Sequence, residues 1–427
     1  LIISPSSSFD TIRFDRSPIC GLDSNKDIAE NQEALRLFAN RRVLERKSEC
    51  VSIIGHNQAN TSSMLQHFKR NVDLVTTIAP CTIAFDGFYV NQEYNASLYS
   101  SINIFTYSPE WRFIRDLCLY TARVNELVKN VAWTKQALVL SPLTEMLSDY
   151  FPNNNSYSRK GYELFSKTIA TLDRLSISYD CVSDDYLTSC VISDNGGIAI
   201  AHSSRSGTCN ALIIPFAPLI SKTTLSFIEK AVQKNIKVFF IDEVPKGTIE
   251  DGITPSITGR IMKLLDPKKN HVSIVKSDSP DSGLAEIETP FFTIANSHRD
   301  SDILVSYGKS DNFDVYLMHN TSDDKDQVLH ITMPDYKHFS VADIENGEIF
   351  ELENIERDDG AAHLDICFMP AETFILLGSS VKIANTRFEK FAKTGVNPFT
   401  LYHRCYRIIL KAQWNFTTPS LNSLPSG

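Results

Sequence analysis

Apolar residues recur along the chain at two spacings, and the change from one to the other divides it into parts. Over residues 27–41, Ile28, Ala29, Ala34, Leu35, Leu37, Phe38 and Ala39 fall at helical intervals. Acidic residues come early in that stretch and arginines late, as the helix dipole favours. Residues 42–54 turn extended. Helical spacing returns over 61–77 through Met64, Leu65, Phe68, Val72 and Val75, with Asn60 or Thr61 as the N-cap. Residues 81–85 form a short apolar strand, and 111–130 the strongest helix, with Ile114, Leu117, Tyr120, Val124 and Leu127 on one stripe. The intervening loop 86–109 is long for a compact domain, and loops of this length are usually functional, which makes it a candidate ligand wall.

From residue 131 the pattern becomes regular strand–helix alternation. Strands are expected over 136–140, 179–183, 211–214 and 237–241, with helices over 161–175 and 221–234, the latter capped by Ser221. Repeated units of this length imply a parallel sheet covered by helices, here a flavodoxin-like layer. Around 296–310 the helical pattern fades. Short alternating strands follow over 314–318, 328–333, 340–343, 349–352, 362–368 and 373–377, with Asn346-Gly347 as a hairpin turn. The expected fold class is therefore α/β. Residues 1–130 read as the last strands and helices of a (β/α)8 barrel, 131–300 as a flavodoxin-like parallel α/β domain, and 301–427 as a small all-β sandwich with a polar tail.

Composition changes this picture little. At 427 residues, 42% hydrophobic and 22% charged, the chain has room for two or three globular domains. A net charge of −9 speaks against a nucleic-acid partner, which would need a clustered basic stripe. No apolar run approaches the roughly 20 residues of a membrane span. The nine cysteines are scattered without the close spacing of a metal or redox motif, and Cys50, Cys81 and Cys118 sit inside apolar elements as free thiols. No metal or cofactor is expected. The chain starts without Met or a signal peptide and reads as a fragment of a longer polypeptide, which leaves a cytoplasmic or a secreted location open.

A set of short segments carries a resemblance. They are Ser48-Glu49-Cys50, Gly55 with the 62–73 helix, the 85–89 strand end, Pro109-Glu110-Trp111, and the tyrosine–arginine stretch Tyr120-Thr121-Ala122-Arg123. Further on come Ala137-Leu138-Val139-Leu140-Ser141-Pro142, Ala211-Leu212-Ile213-Ile214-Pro215, Met318-His319-Asn320-Thr321-Ser322, the 343–347 turn, and Met369-Pro370-Ala371-Glu372-Thr373. In this order they resemble the C-terminal portion of bacterial glycoside hydrolases of the α-L-rhamnosidase-like group, whose domain order is also seen in family-42 β-galactosidases. The second part then resembles the glutamine-amidotransferase-like domain of such enzymes.

The resemblance implies a hydrolase of glycosidic bonds in an oligo- or polysaccharide. Such chemistry needs one carboxyl to protonate the leaving oxygen and a second to attack or to activate water. Glu49, taken to lie at the C-terminal end of its strand, fills the base or nucleophile role, because barrel enzymes collect catalytic groups at that face. His56, Asn57, Asp86, Tyr89 and Tyr94 are the expected substrate-binding residues. Each also has a plainer reading: Glu49 as an ion-pair partner of Arg42 or Arg46, His56 as a loop residue, Asp86 as a turn former before Gly87, the tyrosines as packing. The family shows Gly-Trp where Gly55-His56 stands, a histidine where Asp86 stands, and Pro-Pro-Ser near Ser100-Ser101-Ile102. Amidotransferase chemistry is excluded, since Pro215-Phe216-Ala217 offers no cysteine at the strand-to-helix elbow and Cys209 precedes the strand. The α/β domain then serves packing or a homo-oligomer. The alternative to a hydrolase is a non-catalytic carbohydrate-binding or assembly protein on a degenerate barrel.

Overall fold

The computed structural model describes residues 2–3, 19–23, 49–54, 64–78, 82–85, 111–129, 131–142, 156–187, 189–194, 196–200, 208–265, 271–287, 291–294, 302–322, 324–352 and 355–383. The expected helix over 27–41 and the loop over 86–109 lie outside them. Among the described residues no helix is long and apolar enough to cross a membrane.

Near the start, strands Ile2–Ile3, Ile19–Asp23, Glu49–Ile54 and Thr82–Phe85 form a four-stranded sheet in chain order, every pair parallel. Helix Met64–Ile78 connects the last two strands. A 3-10 turn, Trp111–Phe113, leads into helix Ile114–Lys129. Both helices bury one stripe: Leu65, Phe68, Val72 and Val75 on the first, Leu117, Tyr120, Val124 and Leu127 on the second. These are the positions that the helical spacing singles out.

The second sheet has five parallel strands in the spatial order Val272–Val275, Lys237–Ile241, Ala211–Ile214, Ala137–Leu140 and Tyr179–Val182. In chain order that is 5-4-3-1-2, the doubly wound arrangement of flavodoxin-like sheets. Alternation sends successive residues to opposite faces. Leu138, Leu140, Leu212, Ile214, Val238 and Phe240 meet helix Lys222–Gln233 on one side. Ala137, Val139, Ala211, Ile213, Phe239 and Ile241 meet helix Ser156–Arg174 on the other. Ser221 caps the first of these helices, accepting from the Thr224 amide at 3.0 Å.

The C-terminal part pairs a six-stranded antiparallel sheet with a four-stranded one. The larger sheet runs Glu348–Glu351, His338–Asp343, Thr373–Ser379, Asp314–Asn320, Ile303–Lys309, Ala132–Thr134. Its Tyr316, Met318, Phe339 and Leu376 face the smaller sheet. Val315, Leu317, Ala342, Ile375 and Leu377 face the two N-terminal helices and share their core. Both faces of the larger sheet are therefore covered.

Two expectations change. Strand Ala132–Thr134 falls inside the stretch 131–300 assigned to the α/β part, yet it pairs Thr134 with Tyr307 and Trp133 with Gly308 at the edge of the antiparallel sheet. A Cβ on Gly308 would stand 2.3 Å from a Val131 methyl, so only glycine lets that edge strand approach. The fading stretch 296–310 contains the strand Ile303–Lys309, whose pairing rather than its own alternation defines it. Cys118, Cys181, Cys190, Cys209 and Cys367 form no disulfide: Cys181, Cys190 and Cys209 are buried, while Cys118 is exposed on its helix and not part of the apolar stripe.

Candidate functional site

The strand carrying Glu49 is Glu49–Ile54, so Glu49 opens this strand instead of closing it. Its register partner is Ile19, at the start of the neighbouring strand. The physical reason is in the composition. The run Val51-Ser52-Ile53-Ile54, with three β-branched residues, suits a strand, whereas the charge-rich residues before Glu49 do not. The carboxyl end of the sheet is marked instead by Ile54 paired with Phe85. At about 3.3 Å per residue, Glu49 stands roughly 17 Å back along the strand from that end. His56, Asn57, Asp86, Tyr89 and Tyr94 follow these strands in sequence and lie outside the described residues.

Polar side chains converge elsewhere, where the helix Met64–Ile78 meets the six-stranded sheet. Lys69 and Asp73 are one turn apart, and the Lys69 ammonium donates to Asp73 Oδ2 at 2.9 Å. The Tyr120 hydroxyl, from the second helix, donates to the other Asp73 oxygen. Lys69 Nζ also stands 3.7 Å from Glu345. One turn beyond Tyr120, Arg123 is 1% exposed and donates from Nη1 to the carbonyls of Ile344 (2.9 Å) and Glu345 (2.6 Å). These belong to the turn between strands His338–Asp343 and Glu348–Glu351. Gly347 in that turn has φ +74°, and a Cβ there would sit 3.0 Å from Arg123 Nε, so glycine serves both the turn and the contact.

More bonds tie the same surfaces. Arg70 Nη2 donates to the Thr321 carbonyl at 3.3 Å and Ser306 Oγ to the Thr77 carbonyl at 2.7 Å. His319, fully buried, shares a 2.9 Å hydrogen bond between Nδ1 and the Thr373 hydroxyl, and its Nε2 has no partner in the structure. Asn320 Nδ2 donates to the carbonyls of Lys325 and Met369. The Met369 amide donates to Glu372 at 2.6 Å.

The electrostatics fix the protonation states. Burial pulls the Lys69 ammonium down, but Asp73, Glu345 and Glu372 outweigh it and raise its pKa, so it stays charged. Burial, with Asp73 beside it, holds the Tyr120 phenol well above its ordinary value, so it remains a donor. Burial pushes His319 down to about 4, against the pull of Asp73, so the ring is neutral at pH 7. A charged lysine, a protonated phenol and a neutral imidazole bonded to Thr373 offer no activated nucleophile. The arrangement ties the two helices to the sheet. Among the described residues no group of three histidine, cysteine or acidic side chains is placed to hold a metal.

A cavity of about 340 Å³ opens beside this network, between Lys69, Tyr120, the 343–345 turn and the 369–375 segment. A second, of about 560 Å³, lies between helix Ser156–Arg174 and residues 302–304, where Arg174 is already paired with Asp281. The tyrosine–arginine helix, the Met318–Ser322 and Met369–Thr373 segments and the 343–347 turn lie far apart in the sequence. Only the structure shows them meeting at one junction.

No family model matches the chain, and no curated protein matches it by sequence. Solved structures do match in fold. A rhamnosidase from Novosphingobium sp. PP1Y aligns with a TM-score of 0.62 at 12% identity, over 86% of this chain and 35% of its own. A β-galactosidase from Bacillus circulans sp. alkalophilus aligns at 0.56 and 10%, over 84% of this chain and 60% of its own. A cold-adapted β-galactosidase from Rahnella sp. R3 aligns at 0.53 and 8%, with the same coverage of 84% and 60%. The chain thus has a fold found in glycoside hydrolases and spans between about a third and three fifths of these relatives.

Proposed function

We propose that the chain is the C-terminal portion of a glycoside hydrolase, rhamnosidase-like or β-galactosidase-like. In this reading residues 1–130 end a (β/α)8 barrel, 131–300 form the glutamine-amidotransferase-like domain and 301–427 the β-sandwich. The observation that carries the reading is the likeness in fold to a rhamnosidase over 86% of the chain. The first sheet supports it, since consecutive parallel strands in chain order are what a barrel segment requires. The substrate cleft is then at the carboxyl ends of Glu49–Ile54 and Thr82–Phe85, lined by His56, Asn57, Asp86, Tyr89 and Tyr94.

Glu49 is the proposed base or nucleophile on the strength of the resemblance, and the strand sets a condition on it. Paired carboxyls work at separations of roughly 5–9.5 Å. Glu49 and the end of its strand are about 17 Å apart, further than paired carboxyls work, so its partner acid is not sought at that end. The acid that partners Glu49 belongs to another part of the enzyme.

The test is turnover of aryl rhamnosides and galactosides by the longer enzyme that contains this chain, as wild type, Glu49→Gln and Asp86→Asn. Loss of about 10²–10⁴-fold in Glu49→Gln supports the assignment. Loss in Asp86→Asn with Glu49→Gln fully active moves the catalytic carboxyl to the other end of the sheet. One observation favours a second reading: Glu49 opens its strand, away from the face where barrel enzymes act. If the longer enzyme binds saccharide and turns over no glycoside, the protein is the carbohydrate-binding or assembly protein of that reading.

A further inference from the structure

The cavity beside Lys69 has a lining whose chemistry selects its ligand. Lys69 is 7% exposed, yet its ammonium, with three N–H donors, makes one hydrogen bond, to Asp73 at 2.9 Å. It lines the cavity together with Tyr120, Glu345 and Glu372. The Tyr120 hydroxyl donates to Asp73. Glu372 receives the Met369 amide on one carboxylate oxygen. The depth of the cavity therefore presents donor and acceptors side by side.

Apolar groups form the rest of the wall. Phe374 lines it on one strand, and Phe350, 49% exposed, stands on the neighbouring hairpin. The polar groups are deep and an aromatic face is accessible, the arrangement in which a ring can stack while its substituents bond inward. The loop bearing Glu372 is held rigidly. Ala371 has φ +54°, a conformation that side chains other than glycine's rarely adopt, and its amide donates to the Ser322 carbonyl at 2.9 Å.

Charge decides among ligand classes. A small cation meets the Lys69 ammonium, and an anion meets Glu345 and Glu372. A neutral ligand rich in hydroxyls, each both donor and acceptor, satisfies both signs at once. The volume of about 340 Å³ falls in the range of small-molecule sites. We propose that this cavity, lined by side chains of the two N-terminal helices and the antiparallel sheet, is a binding site for a neutral monosaccharide unit, with Phe350 as its stacking platform and Lys69, Glu345 and Glu372 as its hydroxyl partners. The site is independent of glycoside cleavage, because binding here needs no reacting carboxyl.

The test uses binding, not turnover. Rhamnose, galactose and glucose are titrated by ligand-observed NMR against the full 427-residue chain, with glucuronate and glucosamine as charged counterparts. The variants are Phe350→Ala, which is exposed, and Glu372→Gln, which keeps an acceptor for the Met369 amide. Folding is checked by circular dichroism. A neutral sugar bound at millimolar concentration, about tenfold more weakly in each folded variant, supports the site. Absence of binding by all three neutral sugars overturns it. So does binding that both variants leave intact, which would place the sugar elsewhere, or binding of only a charged sugar.

Discussion

The five-stranded parallel sheet and the six-stranded antiparallel sheet are each covered on both faces, but by different chemistry. The parallel sheet is apolar on both sides, and its neighbours in space are helices from its own stretch of chain. The antiparallel sheet has one apolar face against its partner sheet. Its other face meets helices from the N-terminal part through a mixed surface, on which Val315 and Leu317 stand beside buried Ser306 and His319. Apolar burial is forgiving about direction, whereas each buried polar group demands a partner with correct geometry. The parallel layer is thus stabilised by area, and the junction by area plus a unique register.

The largest expected effect separates these two modes. Asp73→Asn removes the charge that Lys69 and Tyr120 share, and leaving a buried ion without its partner costs about 3–5 kcal/mol. Replacing Lys69, Asp73 and Tyr120 together by Met, Leu and Phe restores most of that loss, since a buried ion pair is often no better than a packed apolar core. In the parallel sheet no such rescue exists: Phe240→Ala loses about 3–5 kcal/mol and a distant second truncation adds to it. Urea unfolding of the four proteins checks this. A triple variant as unstable as Asp73→Asn would show that the two regions do not differ in the stated way.

A pH series sharpens the same contrast. His319 has its pKa depressed to about 4 in the folded state, against 6.5 for the free group. A depressed histidine contributes stability that is fully present above pH 6.5 and is lost as pH falls towards 4, because the unfolded chain takes up the proton first. Asp73, Lys69 and Arg70 are the charged groups around it. The stability difference between the wild-type chain and His319→Gln therefore shrinks by up to about 3 kcal/mol between pH 7 and pH 4. A difference that stays constant over that window would mean the ring is not buried neutral.

The smallest effect belongs to the parallel layer. Ser221→Ala removes the side-chain cap of helix Lys222–Gln233 and lowers stability by about 1 kcal/mol, read as a shift in urea midpoint. The shift should be the same at pH 4 and pH 7, because neither partner titrates there. A pH-dependent shift would couple the cap to the charged junction.

Legibility follows the same division. Helical spacing located Met64–Ile78 and Ile114–Lys129, and the short apolar runs of Ala137–Leu140, Ala211–Ile214 and Lys237–Ile241 located the parallel strands within a residue or so. The hairpin glycine at 347 was readable because a tight turn needs its positive φ. Short strands escaped. Cys190–Ile192 and Ile198–Ile200 form a two-stranded sheet with each other, and Ala132–Thr134 takes its identity from a partner near residue 308. For Glu49 the charged segment before it reads as an extension of the strand, and only the pairing sets where the strand begins.

The amino-acid sequence by itself determined the α/β class, the order of the parts and most of their elements, because hydrophobic periodicity and turn chemistry are local properties of the chain. The tertiary structure alone decided which end of its strand Glu49 occupies, that Ala132–Thr134 joins the antiparallel sheet, and that Lys69, Asp73, Tyr120, Arg123 and His319 meet. Those groups come from segments separated by as many as 251 positions, as in the Arg70 bond to Thr321. No periodicity in one segment encodes a partner in another, and the hydrogen bonds that reject every other register exist only once the helices lie on the sheet.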